Sequence, residues 1–589
     1  PYTYPSSLML HHDKLPVRVA QINAMRSRLV MHELRRLADE MRLDIICIQE
    51  PYSVRGRIPF QPATARIVAC GEEPMAAVVI YNKDLTTTKL SQFCHSHAVC
   101  VEIGAPGGSW YIMNQYFQYS DEIEEHTMHL RRVANELGNR RVVYTLDANA
   151  KSPLWFSGEM DDKGEHLEGL IGELQLHVAN QPRNPYTFEN RAGAKSNIDV
   201  TLLSPRMVLH LKGWKVGQSL TTSDHNVIYF EVTQGRIEGN RESTEKRYNI
   251  KLANWEKMRA ELVIPDHTNR TVDERARDLT RNIKCAMSRS IPLRKNTTNN
   301  DRPWSDKLQT MRRKVRKSRR TYQHTIVAAE KELRLQEYRR LKDAYRREIW
   351  KVKSESWRAF VEGSLVTDPW GMPYRLATAK VHGPTVLSTL NRPEGGQTTG
   401  WKESAQLLMD VLLPDDRPDG DTADQGQMRV DMFDRSENGI PVCPFAVEEV
   451  RDAISAMRKK KAPGPDGISA EVLQEICPQI APTLCQLFND CLAEGRIPSV
   501  WKKANVTILS KGDDKDPLQP KSYRPICLLN VMGKVQEKLI CKRIKELRLL
   551  HGINDRQYGF TARKSTEDAI NFAIRGASEL SDNYVIGIF

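Results

Sequence analysis

The sequence has no hydrophobic run long enough to cross a membrane, since its longest uninterrupted run has seven residues, Met75 to Tyr81. A membrane-spanning helix needs roughly 20, so no membrane span is expected. The N-terminus lacks the pattern of a signal peptide, and the 11 cysteines include no CxxC pair. These absences argue against a disulfide framework and against a zinc site recognisable from sequence. We therefore expect reduced cysteines in a cytosolic or nuclear protein.

The charge is positive overall but unevenly distributed. The 589 residues carry 87 Lys and Arg against 74 Asp and Glu, a formal net charge of +13. Residues 306–358 hold 18 Lys and Arg, 7 Asp and Glu, and neither glycine nor proline, which predicts a long basic helix or helix pair. Its densest part could be a solvated helix face, but seven positive charges in nine residues favour contact with nucleic-acid phosphates. The arginines expected to make that contact are Arg312, Arg313, Arg316, Arg319 and Arg320.

A chain of this length typically contains about four domains. Shifts in composition predict five segments: an irregular lead-in (1–16), a sheet-rich α/β domain (17–235), a basic helical connector (236–392), a flexible acidic linker (393–440) and a mixed C-terminal domain (441–589).

Short apolar segments separated by turn residues predict the strands of the α/β domain. They are Val17–Ile22, Asp44–Ile48, Ala76–Tyr81, Ala98–Ile103, Trp110–Gln115, Val142–Leu146, Ile198–Leu203 and Val227–Val232. A helix is expected between the first two, because apolar residues recur there at helical spacing from Val30 to Met41.

Polar residues stand where several of these strands end. Any one of them is more often a turn cap or a satisfied structural residue than a catalytic group. Together they supply what phosphodiester hydrolysis requires. Glu50 offers oxygen ligands to a hard cation, and Asp147, positioned by Asn149, can orient and deprotonate a water molecule. His225, held in one tautomer by Asp199, can donate to the phosphate.

The order of these residues resembles that of the endonuclease/exonuclease/phosphatase family, which includes the apurinic endonucleases and DNase I. The resemblance covers about residues 17–232 and implies a four-layer αββα sandwich with its site at the loop ends. It implies these roles: Mg²⁺ at Asn23, Glu50 and Asp224; nucleophile handling by Asp147 and Asn149; contact of Tyr116 with the scissile phosphate; orientation of His225 by Asp199; and DNA contacts by Thr187, Ser196 and Ser223. After the tyrosine the family often has Pro-Asn, whereas here Tyr116 is followed by Phe-Gln-Tyr-Ser. Tyr119 therefore cannot take the Asn role.

A second resemblance covers roughly residues 445–589. It rests on Lys459–Ile468, Val506–Lys511, Ser522–Leu529 and Gln557–Ala569, a series that closely resembles the fingers of reverse transcriptases from non-LTR (LINE-type) retrotransposons. The resemblance implies that Arg524, assisted by Lys511, contacts the triphosphate of an incoming nucleotide, for which a guanidinium has suitable geometry. No Tyr/Phe-x-Asp-Asp sequence occurs in the chain. We therefore expect incomplete fingers and palm, truncated before the catalytic aspartates, and no templated DNA synthesis.

The two resemblances predict the polyprotein, or second open reading frame, of a non-LTR retrotransposon. Its Mg²⁺-dependent endonuclease would nick target duplex DNA in the nucleus, after cytoplasmic synthesis and assembly with the element RNA. The nick would then prime reverse transcription of that RNA. Two alternatives stay open: a cellular apurinic endonuclease or phosphatase of the same fold, and a non-catalytic nucleic-acid-binding remnant. The oligomeric state is left open by the sequence.

Overall fold

The structure is a computed structural model. It describes residues 16–105, 108–190, 194–217, 220–233, 248–264, 270–293, 305–378, 384, 386–434, 443–512, 515–551, 554, 556–561 and 563–579. Within these ranges no helix is both long enough and apolar enough to cross a membrane. The chain forms two units: the first contains residues 1–240, 297–415 and 508–524, and the second contains residues 241–296, 416–507 and 525–589.

Two β-sheets form the centre of the first unit. The six-stranded sheet has the spatial order β13 (Leu211–Gly217), β14 (Val227–Val232), β1 (Val17–Asn23), β2 (Ile45–Gln49), β4 (Ala76–Ile80) and β3 (Arg66–Ala69). The seven-stranded sheet has the order β15 (Leu387–Ser388), β5 (Thr86–Lys89), β6 (Ala98–Ala105), β7 (Gly108–Tyr116), β8 (Val142–Asp147), β12 (Asp199–Leu203) and β9 (His177–Val178). A short hairpin pairs β10 (Phe188–Glu189) with β11 (Lys195–Ser196).

Successive side chains along a strand point to opposite faces of the sheet. Each sheet therefore packs on the other sheet with one face and on helices with its other face. Val19 belongs to the apolar cluster shared by the two sheets. Its neighbour Ala20 belongs to the cluster with α1 (Arg28–Met41) on the other face. Helices α2 (Ile123–Leu137) and α3 (Asp162–Glu173) cover the outer face of the second sheet. The predicted αββα sandwich is confirmed, and a strand lies at each of the eight predicted positions.

A polar network joins the two sheets close to the site. The Gln49 amide donates to Asn114 Oδ1 at 2.7 Å, and the Gln21 amide donates to the Leu146 carbonyl at 2.9 Å. The Thr201 hydroxyl donates in turn to Gln21 Oε1 at 3.0 Å. These side chains are fully buried. Because buried polar groups must be satisfied by particular partners, the network fixes the alignment of β1 against β8.

The basic region forms a helix hairpin that is part of the first unit. Helix α6 (Asp306–Gln323) and helix α7 (Ala328–Thr367) run antiparallel, with Lys307 paired to Glu348 at 2.8 Å. The hairpin packs on α1 through one apolar cluster, which comprises Leu29, Leu308, Val315, Tyr322, Leu335, Tyr338, Tyr345 and Ile349. A short helix, α8 (Met372–Ala377), follows α7. This part of the predicted basic helical connector (236–392) is therefore helical and belongs to the first unit.

The segment predicted as a flexible linker also contains regular structure. Helix α9 (Trp401–Leu412) belongs to the first unit, where the Trp401 amide donates to Glu102 Oε2 at 2.7 Å. Just before the predicted linker, β15 pairs in parallel with β5 and covers its edge. The strand β15 thus completes the seven-stranded sheet, and α9 from the predicted linker is hydrogen-bonded to the neighbouring strand β6.

The second unit is mainly helical. Its helices are α4 (Trp255–Glu261), α5 (Val272–Ser290), α10 (Ala423–Asp434), α11 (Val447–Ser455), α12 (Ala470–Ala493), α13 (Val531–His551) and α14 (Thr566–Glu579). One apolar core joins α4 and α5 to α11, α12 and α13, so this part of the predicted connector belongs with the C-terminal region. A β-hairpin pairs β16 (Ala504–Ser510) with β17 (Tyr523–Leu529). The apolar segment Tyr584–Phe589 lies outside the described residues.

The Pro/Gly turn within Lys459–Ile468 has a structural reason for its glycine. A Cβ on Gly464 would lie 2.5 Å from the backbone nitrogen of Asn530 and 2.6 Å from the carbonyl carbon of Leu529. Asp466, two residues later, is buried, and burial raises its pKa to about 6. The turn therefore packs tightly against the residues that precede α13.

Candidate active site

The site forms where strands from the two sheets end side by side. Asn23 is the last residue of β1, and Asp147 is the last residue of β8 in the other sheet. Asp199 begins β12 and lies opposite Asp147 in the antiparallel register. The Asn23 amide donates to Asp147 Oδ2 at 2.6 Å, and this hydrogen bond crosses between the sheets. The arrangement brings together residues that are up to 176 positions apart in the sequence.

Two site residues adopt a left-handed backbone conformation where their strands end. Glu50 has a φ of 43° and Asn149 a φ of 45°, values that cost energy for residues other than glycine. Glu50 Oε2 accepts the same Asn23 amide at 2.9 Å. The Asn149 amide donates to the carbonyl oxygen of Phe117 at 2.8 Å, which joins the loop after β8 to the loop after β7. The strain is thus located where the predicted metal and nucleophile residues lie.

His225 and Asp199 form the predicted pair. His225 Nδ1 lies 2.9 Å from Asp199 Oδ2 and 3.1 Å from Oδ1, and both side chains are buried. The Phe188 ring packs against the imidazole, with centroids 4.8 Å apart. Since Nδ1 bonds to the carboxylate, Nε2 is the nitrogen left for a substrate.

The residues expected to contact DNA are buried. Two of them, Thr187 and Ser223, form hydrogen bonds next to the Asp199–His225 pair. The Thr187 hydroxyl accepts the backbone amides of Ile198 and Asp199, each at 3.1 Å. The Ser223 hydroxyl donates to the Asn23 carbonyl at 2.8 Å and accepts the His225 amide at 3.1 Å. Both side chains are almost completely buried, and Ser196 is buried in the β10–β11 hairpin. These three side chains are buried in the structure, and their DNA contacts stay predictions.

The charges in the site shift three pKa values. Burial raises the pKa of Asp147 to about 7, and the negative charge of Asp199 adds to the effect. Burial alone would lower the pKa of His225, but the charges of Asp199, Asp147 and Glu50 raise it to about 9. Burial also raises the pKa of Tyr116, so its hydroxyl stays protonated. At neutral pH the site therefore has a carboxylate near its titration midpoint and a protonated imidazole.

The donor set fits a divalent cation. Carboxylate oxygens of Asp147 and Asp199 lie within 4.8 Å of each other, while the His225 ring is held by Asp199. Asp147 Oδ1 is buried and has no hydrogen-bond partner among the described residues, an unfavourable state for an isolated carboxylate oxygen. Hard divalent cations prefer oxygen ligands of this kind, and Asn23 holds Glu50 beside the same carboxylate.

Asp224, the third residue predicted at the metal, is buried between elements of the first unit. Burial raises the pKa of the Tyr338 hydroxyl in α7, and the charge of Asp224 adds to that effect. A metal-binding role for Asp224 stays a prediction.

The basic cluster of α6 divides by helical face. Arg312 and Arg319 are buried and Arg316 is half-buried, whereas Arg313 and Arg320 are exposed. The buried set shares its face with the apolar residues of α6 that pack on α1. The phosphate contact stays a prediction for the cluster, and the accessible members are Arg313 and Arg320, since the sandwich covers the face of Arg312 and Arg319. Helical spacing relative to Val315 and Tyr322 was the signal that could have separated the two sets.

The residues predicted to bind a nucleotide lie on the β16–β17 hairpin. Arg524 and Lys511 are both exposed, and the Lys511 ammonium donates to the carbonyl of Lys521 at 2.6 Å. Their triphosphate-binding roles stay predictions.

Comparisons with known proteins agree with the geometry. Residues 110–229 match the family model described as "Endonuclease-reverse transcriptase". The chain is 30% identical over 553 residues to the "Retrovirus-related Pol polyprotein from type-1 retrotransposable element R1" of Bradysia coprophila, covering 90% of this chain and 54% of the relative. It is 27% identical over 566 residues to the "Putative 115 kDa protein in type-1 retrotransposable element R1DM" of Drosophila melanogaster, covering 92% of this chain and 53% of the relative. The chain thus spans about half the length of these curated relatives.

Among solved structures, the chain is similar to the endonuclease domain of TRAS1, a telomere-specific non-LTR retrotransposon. The sequence identity is 31% and the TM-score is 0.34, with 37% of this chain and 99% of that domain covered.

Proposed function

We propose that the chain belongs to the endonuclease–reverse transcriptase polyproteins of non-LTR retrotransposons, in line with the family match and the curated relatives. In this proposal its first unit is a Mg²⁺-dependent endonuclease which nicks target duplex DNA. The observation that carries this proposal is the cluster in which Asn23 joins the half-buried Glu50 to the buried Asp147, with the Asp199–His225 pair beside it. In the parent element, the 3′-hydroxyl released in the nucleus would prime reverse transcription of the element RNA.

The side chains of the cluster can carry out the hydrolysis. Burial raises the pKa of Asp147, so its carboxylate can accept a proton from the attacking water. Asn23 holds that carboxylate in place. His225 is protonated at neutral pH and can donate through Nε2 to the charge that develops on the phosphate. Tyr116, whose raised pKa keeps its hydroxyl protonated, supplies a neutral donor beside the cationic His225.

Glu50 and the unpartnered Oδ1 of Asp147 are the groups that would hold the cation, with Asp224 as a further predicted ligand. A bound divalent ion supplies charge neutralisation for the phosphate and the leaving oxygen.

Removal of divalent metal is expected to abolish nicking by the full chain. Supercoiled plasmid should be converted to the open circle in Mg²⁺, remain supercoiled with excess chelator, and be cut again when Mg²⁺ is restored. The readout is the fraction of open circle by gel electrophoresis. Cleavage that persists in chelator would contradict the proposal.

Two substrates distinguish the alternatives. An intact duplex and a duplex with one abasic site should be cut at similar rates if the target is ordinary DNA. A large preference for the abasic duplex would favour a cellular apurinic endonuclease. DNA binding without cleavage in Mg²⁺ or Mn²⁺ would favour the non-catalytic remnant.

The exposed arginines of α6 are expected to bind nucleic acid through phosphates. The Arg313→Gln, Arg320→Gln double variant should weaken DNA binding and reduce the slope of log K against log salt by up to roughly 2, since each released counterion contributes about 0.9. Arg334→Gln is the matched control, because Arg334 is paired with Glu330 on the same hairpin. A salt slope unchanged from that of the parent chain would exclude these arginines from the interface.

A further inference from the structure

We infer that the α6–α7 hairpin is a functional part of the endonuclease, in which its buried basic side chains position the loop that carries His225. The inference rests on the proposed function and adds positioning residues about 90 to 120 positions beyond the loop that they hold. The loop is defined as residues 220–225, which connect to β14.

Basic side chains of the hairpin bind three consecutive carbonyl oxygens of this loop. Arg316 donates to the Leu220 carbonyl at 2.5 Å, and Arg312 donates to the same oxygen at 3.3 Å. Arg319 donates to the Thr221 carbonyl at 3.2 Å. In α7, Lys342 donates to the Thr222 carbonyl at 3.1 Å. The hairpin thus holds the backbone immediately before Ser223, Asp224 and His225.

The sandwich holds the same loop from its other side. Glu33 of α1 accepts the Thr222 amide at 2.7 Å and the Thr222 hydroxyl at 2.8 Å. The Ser223 hydroxyl donates to the carbonyl of Asn23, the residue that bridges Glu50 and Asp147. Hydrogen bonds therefore connect the hairpin, through the loop backbone, to Asn23 on one side of the active site and to His225 on the other.

The cost of burying the arginines of α6 indicates that they position the loop rather than simply attach the hairpin to the sandwich. Burying a guanidinium is costly unless all of its donors are paired. Arg319 Nε and Nη2, and Arg312 Nε, are buried without hydrogen-bond partners among the described residues. The apolar cluster of α1, α6 and α7 already provides the contact that docks the hairpin. These arginines are therefore poor contributors to stability, while their directed donors fix the loop backbone.

Small errors in loop position have large effects on rate. A displacement of about 1 Å in a reacting group can lower the rate by roughly 100-fold. The backbone amide of His225 donates to Ser223 Oγ, and its ring is hydrogen-bonded to Asp199. A shift of residues 220–223 therefore moves the imidazole donor relative to the phosphate. DNA affinity should change little, because Arg319 is buried and the half-buried Lys342 donates to the loop backbone.

The test is multiple-turnover nicking of a duplex oligonucleotide by full-chain variants. Arg319→Ala is expected to lower kcat roughly 10- to 100-fold with KM within about 2-fold of the parent value. Arg319→Lys should restore part of kcat, because an ammonium can still donate to the Thr221 carbonyl. Lys342→Met keeps the aliphatic stem and removes the donor, and should lower kcat several-fold. Arg334→Ala, which removes a surface ion pair on α7, is the control and should keep the parent kcat.

Each outcome bears on one of the two claims. If the parent chain and Arg334→Ala nick DNA while Arg319→Ala and Lys342→Met keep the parent kcat, the positioning role is wrong and the proposed function stands. A rise in KM at unchanged kcat would likewise overturn it, by indicating substrate contact. If Arg319→Ala does not fold, as judged by thermal unfolding, Lys342→Met decides alone. A parent chain that nicks no DNA contradicts the proposed function, and this inference with it.

Discussion

Replacement of Asp147 by Ala, or of His225 by Ala, is expected to lower the nicking rate by roughly 10²–10⁴-fold, the usual contribution of a positioned acid or base. Asp147 is the buried carboxylate that both Asn23 and the cation site share, and His225 is the cationic donor held by Asp199. Since both act on one transition state, the double variant should lose little more than the worse single variant. The measurement is the initial rate of open-circle formation in Mg²⁺.

Two exposed residues of the same types supply the controls. Asp84→Ala and His177→Ala change side chains that are exposed on the first unit, and both should nick at the parent rate. Circular dichroism and thermal unfolding should show that all four variants are folded. An Asp147→Ala or His225→Ala protein that cuts like the parent would mean that the assigned chemistry is wrong.

Replacement of Gly164 by Ala is expected to destabilise the first unit and to impair nicking, although Gly164 contacts no substrate. A Cβ at this position would lie 1.8 Å from the carbonyl oxygen of Lys151 and 2.7 Å from its carbon. Asp161 accepts the amides of both Gly164 and Lys151 through one oxygen, at 2.7 Å and 2.9 Å. The start of α3 is thus attached to the loop that carries Asn149, and overpacking of this kind costs roughly 1–3 kcal/mol or more.

Gly169 is the matched control for this prediction. It lies in the same helix, and a Cβ there would meet nothing within 4 Å. Gly169→Ala should raise stability by up to about 1 kcal/mol, because alanine is the better helix former. The checks are the thermal unfolding midpoint and the nicking rate of each variant. Equal behaviour of the two variants would show that the loop after β8 can move away from α3.

The main strands could be predicted from the sequence because they are short apolar runs between turn residues. The strands near the sheet edges could not be predicted in this way. The strand β5 reads Thr-Thr-Thr-Lys, and β13 contains Gly213 and two lysines. Neither has the apolar run or the strict alternation that marks a half-buried strand. The contribution of β15 to the same sheet could not be predicted, since it depends on a pairing across about 300 residues.

The site could be predicted in outline because its chemistry selects residue types that follow strands. The supports of the site could not. The hydroxyl of Thr187 is hydrogen-bonded to residues 11 and 12 positions away, and that of Ser223 to one 200 positions away. A polar side chain that satisfies such a distant backbone group looks the same in sequence as one that meets DNA. The burial of Arg312 and Arg319 was missed because the dense run of charge in α6 concealed its helical faces.

The position of the hairpin in the chain has a consequence for synthesis of the protein. Lys342 lies 120 residues after Thr222, a distance that takes roughly 6–24 s to translate at about 5–20 residues per second. During that interval the nascent sandwich has emerged, but the carbonyls of Leu220, Thr221 and Thr222 have no hairpin to bind. The edge of β5 stays open longer still, until β15 is made, and open edges favour unwanted strand pairing. The nuclease would therefore become competent to cut only after the following region of the polyprotein has been synthesised.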